Sequence, residues 1–295
     1  MSGKNKERKP TEKGLESGPM SEATGAAPKR ASESSASNSL VDMIMDGAPD
    51  DNSHSAVVDS ATLIAQTQDR LWRALTRRFQ YDSSLSQGQE YLLNHVSSRV
   101  RLVILYADLA GSTNMSMTLP AEKLSTIIQA FTYEMSSVVQ SHKGYVLKYV
   151  GDAVIAFFPS SYNKILACDM AVQCANSMIT VIKNGINPIL NQYDYPELNV
   201  KVGIDEGENV VVQYGHDRSS LIDILGYCMN IASKITSLTK PNKISVGEDV
   251  YEMLHPSIKS KFKEMPLGKE EWRYTDRETG RLYRVYTLKE GKVYR

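Results

Sequence analysis

RLVILYADLAGST at residues 101–113 and GYVLKYVGDAVIAFFP at residues 144–159 place two aspartates at the ends of apolar runs. Residues 102–107 form a short apolar stretch suited to a buried strand, and the stretch ends at Asp108. A small-residue turn follows, made of Ala110, Gly111, Ser112 and Thr113. After Leu119-Pro120, the residues Leu124, Ile127, Ile128, Phe131, Met135 and Val138 recur at helical spacing, and Lys143-Gly144 marks the end of that helix. Residues 145–150 and 153–158 read as strands separated only by Gly151-Asp152, a hairpin signal. Strand, helix and hairpin therefore bring Asp108 beside Asp152. Two carboxylates on neighbouring strand tips, next to a turn with free backbone N–H groups, suit a pair of Mg²⁺ ions and a polyphosphate, because hard cations take oxygen ligands.

Downstream, Ile165, Cys168, Ala171, Val172, Ala175, Met178, Ile179 and Ile182 predict a second amphipathic helix, and residues 184–198 read as a loop. Val200, Val202 and Ile204 alternate as a strand that is expected to turn at Glu206-Gly207 into a second strand at 209–213. The order strand, helix, strand, strand, helix, strand describes an α+β fold, a ferredoxin-like βαββαβ sandwich core with extra C-terminal strands and helix. Beyond it, Asp223 precedes Gly226, and the next helix carries Asn230 and Lys234 on one face. Asn230 can donate to a ribose or orient a phosphate, with Lys234 as a cation in reach of the same point. Residues 272–274 and 282–288 predict a closing hairpin whose aromatics, Trp272, Tyr274, Tyr283 and Tyr286, serve packing.

Upstream, residues 1–56 are rich in Ser, Gly, Ala, Glu and Lys and read as a disordered tail, with a basic head at 4–13 and an apolar island at 40–45. Residues 57–98 form a helical lead-in, with Leu63, Ile64, Leu71, Leu75 and Phe79 near one face; it either joins two copies or packs on its own domain. Residues 99–295 make the main domain. The 295 residues include 34 acidic and 34 basic side chains, so no broad basic surface is implied and nucleic acid is not an expected partner. The longest uninterrupted apolar run, 153–158, is far short of a membrane span, and a cytoplasmic protein is expected. Cys168, Cys174 and Cys228 show no CxxC spacing and read as reduced core thiols, and the five histidines offer no zinc pattern.

DLAGST, KYVGDAVIAFF, VKVGIDEGENVVVQYG and DILGYCMNIASKI…SVGEDVYEML resemble, in order and spacing, the catalytic domain of class III nucleotidyl cyclases, over about residues 100–256. The resemblance implies two Mg²⁺ (or Mn²⁺) ions per site on Asp108 and Asp152, with the backbone carbonyl of Leu109 as a further ligand. It implies phosphates cradled by the turn of Gly111, Ser112 and Thr113, base contacts from Lys148 and Asp223, and a ribose oriented by Asn230. It also implies a homodimer with shared sites and conversion of ATP to cyclic AMP and pyrophosphate. Adenine and cytosine both offer an acceptor beside an amino donor, the pattern Lys148 and Asp223 match, so CTP stays open beside ATP; a UTP or GTP cyclase of the same family is a further alternative. Two positions depart from the family: Lys234 stands where an arginine is usual, and Ser112 where a phenylalanine is common. Lysine lacks the planar fork of arginine, so a slower cyclase or a nucleotide-binding sensor is the alternative.

Overall fold

A computed structural model describes residues 59–77, 84–215, 220–268, 270–276 and 279–289. The tail, with its basic head and apolar island, lies outside the described residues, as do Arg78 and Phe79 of the lead-in.

Strand β1 (Arg99–Leu109) is apolar on both sides because both faces of the sheet are covered. Val103, Leu105, Ala107 and Leu109 join one core cluster, while Leu102 and Ile104 join a second on the opposite face. On the first face lie α4 (Ala121–Ser141) and α5 (Lys164–Val181). Antiparallel to β1 run β3 (Ala153–Pro159) on one side and β4 (Val200–Gln213) on the other, with β2 (Tyr145–Val150) beyond β3. The resulting order β2-β3-β1-β4 is the ferredoxin-like arrangement expected. It continues through β6 (Lys243–Gly247), parallel to β4, to β8 (Val285–Leu288) and β7 (Phe262–Glu264), while β5 (Ile222–Gly226) pairs with the far half of β4.

Three segments differ from the sequence reading. β4 is one unbroken strand of 14 residues with no turn at Glu206-Gly207. Both acids are held in the strand: Tyr283 donates to Asp205, and Arg101 and Ser160 donate to Glu206. Residues 184–198 are not simply a loop, because α5 runs through a π-helical turn (Ile182–Ile186) into α6 (Asn187–Gln192). Pro188 falls at the head of α6, directly after the π-helical turn. By length and composition the run Lys164–Gln192 is apolar enough to cross a membrane, yet it is a core helix packed under the sheet through Cys168, Ala171, Val172, Ala175 and Met178. The third difference is at the C-terminal end, where β8 pairs with β6 and β7, and residues 272–275 contribute only a bridge from Thr275 to Leu282. Trp272 and Tyr283 are buried with Ile231 and Ile235, so these aromatics do pack.

The lead-in helix α1 (Ser60–Arg77) packs on its own domain. Its seat is polar: Thr67 Oγ1 donates to Glu134 at 2.8 Å, and Arg70 reaches the same buried carboxylate through Nε at 3.1 Å and Nη2 at 2.6 Å. On the second face of the sheet sit α2 (Ser84–Leu93) and α7 (Tyr227–Leu238). All three cysteines are free and buried.

The seating of α7 depends on Gly203. A Cβ there would stand 2.3 Å from Thr236 Oγ1 and 2.5 Å from Thr236 N, so helix backbone and strand backbone are in direct approach. Gly203→Ala is expected to destabilise the fold by about 1–3 kcal/mol, the usual range for overpacking. Urea unfolding followed by circular dichroism measures this.

Candidate active site

Asp108 ends β1 with Ala153 opposite it on β3 and Lys201 opposite it on β4. Lys201 Nζ lies 2.7 Å from Asp108 Oδ2. The pairing with Ala153 sets Asp152, in the turn after Gly151 (φ 61°), beside the same strand tip. Asp152 Oδ2 is buried and has no hydrogen-bond partner. A buried carboxylate oxygen left unpaired is costly, and a cation is what such an oxygen accepts. No group of three or more metal-ligating side chains occurs among the described residues. Mg²⁺ does not require one, since one or two carboxylates suffice when substrate phosphates complete the shell. The donor set therefore fits the divalent ions expected. Leu109 is anchored by its buried side chain, which fixes the backbone next to Asp108. Gly111 takes φ 81° and leads into α3 (Ser112–Thr118), whose start has no side-chain cap. Ser112 is half-buried and Thr113 exposed.

The base-pocket candidates come together on the second face. Lys148 is in regular register with the hairpin turn and stands opposite Ile155, in the row that continues to Tyr106. Alternation along the strand therefore puts it on the second face, and a bulge between Val146 and Lys148 re-aims only the residues before it. The Lys148 ammonium makes a short ion pair with Asp223 Oδ2, and Asp223 Oδ1 accepts from the backbone of Ile224 at 2.9 Å. A cavity of about 540 Å³ opens here, lined by Tyr106, Lys148, Asp223, Met229 and Asn230 among others. Burial, and then the charge of Asp223, push the Tyr106 hydroxyl up to about 12, so it remains a donor. Asn230 and Lys234 are both exposed on α7, but Lys234, one turn further on, does not line the cavity. Nor do Asp108 and Asp152. One chain thus presents two groupings, carboxylates at the strand tips and an ion pair in a cavity.

Sequence reasoning passed over Lys201, whose only signal is a charge at the head of an apolar strand. It also passed over an acid network beside the cavity, in which Asp205 is buried and Asp249 reaches the surface. Asp205 is 1% exposed and receives the Tyr283 hydroxyl at 2.7 Å, while the Asp249 amide donates to that hydroxyl at 3.0 Å. Burial holds the Asp205 carboxyl well above the ordinary carboxylate range, and raises that of Asp249 as well.

The adenylate and guanylate cyclase catalytic domain model matches residues 96–285, and the chain belongs to that family. Among its relatives, a cytidylate cyclase of Escherichia coli is 24% identical over 206 residues, 65% of this chain and 44% of that protein. A uridylate cyclase of Burkholderia cepacia is 29% identical over 167 residues, 56% of this chain and 71% of its own length. The chain thus spans less than half of the first relative. The adenylyl cyclase CyaB from P. aeruginosa shares the fold at TM-score 0.55 and 23% identity, covering 66% of this chain and 96% of that one.

If Asp152 holds a divalent ion, Mn²⁺ raises the unfolding temperature of the native chain and leaves that of Asp152→Asn unmoved, which scanning fluorimetry reads directly. A second expectation concerns Asp205. Its folded-state affinity for a proton exceeds the unfolded one, so its contribution to stability is complete below the usual carboxylate value and is lost as pH rises through the folded value. Asp205→Asn should therefore be more stable than the native chain at pH 8, with the gain vanishing towards pH 4. Urea midpoints across that pH range check the sign.

Proposed function

We propose that the chain cyclises a nucleoside triphosphate to its 3′,5′-cyclic monophosphate with release of pyrophosphate, in sites shared between two copies. The observation that carries the reading is the Lys148–Asp223 pair facing a cavity beside Asn230. Its donor meets an unprotonated ring nitrogen and its acceptor meets the adjacent amino group, an edge that adenine and cytosine share. Guanine and uracil present the reverse order, an exocyclic carbonyl beside a ring N–H, so a pair held in the adenine register would meet them poorly in a partly buried site. ATP is the substrate expected from the sequence. CTP is the second reading, supported by the cytidylate cyclases of E. coli and Staphylococcus aureus among the relatives.

Asp108, Asp152 and the Leu109 carbonyl would hold two Mg²⁺ or Mn²⁺ ions, which when bound make the ribose 3′-hydroxyl more acidic and neutralise the departing pyrophosphate. Lys201, which pairs with Asp108 here, would supply a positive charge on the side where the triphosphate lies. Backbone N–H groups of Gly111, Ser112 and Thr113 meet phosphate oxygens on the same side. From the partner copy, Lys148 and Asp223 fix the base, Asn230 orients the ribose, and Lys234 supplies charge to the reacting phosphate. The distribution of these residues into two groupings, with neither aspartate lining the cavity, supports a homodimer. The free thiols support a reducing, cytoplasmic setting.

Purified protein incubated with ATP, GTP, CTP and UTP, with Mg²⁺ and with Mn²⁺, is expected to yield cyclic AMP or cyclic CMP by mass spectrometry. Asp108→Ala and Asp152→Ala should each lose about 10³-fold in turnover, the scale of several kcal/mol that metal assistance provides. Lys234→Arg should raise it. Turnover that survives both alanine variants would sink the two-carboxylate assignment.

A further inference from the structure

Lys148 and Asp223 sit on strands that are far apart in the sheet, with β3, β1 and β4 between them along the path. At 4.7–4.9 Å per strand, a flat sheet would separate them by roughly 19 Å, beyond the reach of a lysine. Their contact requires the sheet to curl, and α2 lies inside the curl. On one side of α2, Gly88 touches the edge strand so closely that a Cβ would stand 2.3 Å from the Val146 carbonyl oxygen, two residues before Lys148. On the other side, the amide of Gln89 grips the backbone of Ile222, the residue before Asp223. Gln89 Nε2 donates to the Ile222 carbonyl at 3.0 Å, and Gln89 Oε1 accepts from the Ile222 amide at 3.1 Å. Leu92 is fully buried beneath, and Tyr91 stacks on Tyr145 of β2 at 5.2 Å.

We propose that Gln89 is a positioning residue for base recognition: its two-point clamp on Ile222, delivered by a helix seated on β2, sets the spacing of Asp223 from Lys148. The clamp completes the free edge of β5 as a further strand would, but through one side chain. Asp223 immediately follows the gripped residue, so its carboxylate moves with the clamp. Gln89 does not line the cavity. This inference rests on the base-reading role proposed for the Lys148–Asp223 pair.

The test compares the four nucleoside triphosphates by calorimetric binding and by steady-state turnover, with Mn²⁺ present, in the full-length protein. Gln89→Leu removes both bonds. It is expected to weaken binding of the preferred nucleotide and raise its KM by about tenfold, to change kcat far less, and to erode preference over the remaining nucleotides. Gln89→Glu separates positioning from a general loss of structure. As a carboxylate it cannot donate to the Ile222 carbonyl, whereas the neutral acid restores one donor and one acceptor in the same shape. Preference relative to wild type at each pH should therefore recover in Gln89→Glu as pH falls, and stay low in Gln89→Leu. Gln68→Leu, on α1 and bonded to the Asn184 carbonyl, should bind and discriminate as wild type. If wild type discriminates and a folded Gln89→Leu discriminates equally well, the clamp proposal is overturned while the base-reading role stands. If wild type itself shows no preference, the base-reading role fails, and with it the clamp.

Discussion

The ion pair between Lys148 and Asp223 is a constraint on the whole sheet before it is a contact. Two side chains on strands with three others between them meet only when the sheet rolls on itself, and the rolled face must then be filled. Leu92, Tyr91 and Phe157 fill it, and α7 closes its other side over Gly203. With side chains 38% and 20% exposed, the pair adds little to stability. Its consequence is geometric: a donor and an acceptor are held side by side at the wall of the cavity.

Charge is handled differently at the two groupings. Asp108 is neutralised within its own chain by Lys201, on the adjacent strand in register, while one oxygen of Asp152 is buried without a partner. The strand tips therefore carry one satisfied and one unsatisfied carboxylate, a local imbalance that favours positive charge. The cavity grouping is closed on itself, Lys148 against Asp223, and carries no net charge of its own. Nearby, the Asp205–Tyr283–Asp249 network starts from a buried acid on the strand that carries Lys201. It ties the C-terminal stretch to the middle of β4, so residues distant in sequence hold the central strands in line.

Much of this was legible in the sequence, for identifiable reasons. The strand tips at Asp108 and Asp152 are flanked by apolar runs and small-residue turns, both local signals, and the helices from Leu124 and from Ile165 repeat at a period that composition alone reveals. The continuity of β4 was not legible, because Glu206-Gly207 has the residue types of a turn, and what holds it straight is long-range: the unbroken ladder with β1 and the side chains of Tyr283, Arg101 and Ser160. The π-helical turn and α6 were hidden behind Gly185 and Pro188, which usually interrupt helices but here fall at a contact with Thr67 and at the head of α6. Lys201 and Gln89 were missed for a related reason: each acts on a residue far away in the chain, Asp108 or Ile222, and neither belongs to a local pattern.

The bulge in β2 has a meaning for descent as well as for shape. It is one extra residue in an edge strand, and it lies upstream of Lys148, which keeps regular register with the Gly151-Asp152 turn. What the extra residue re-aims is the stretch before it, Tyr145 and Val146, on which α2 is seated. Edge strands gain and lose residues more readily than central ones, since only one neighbour must adjust. A single inserted or deleted codon there would therefore disturb the seat of α2 while leaving the direction of Lys148 unchanged.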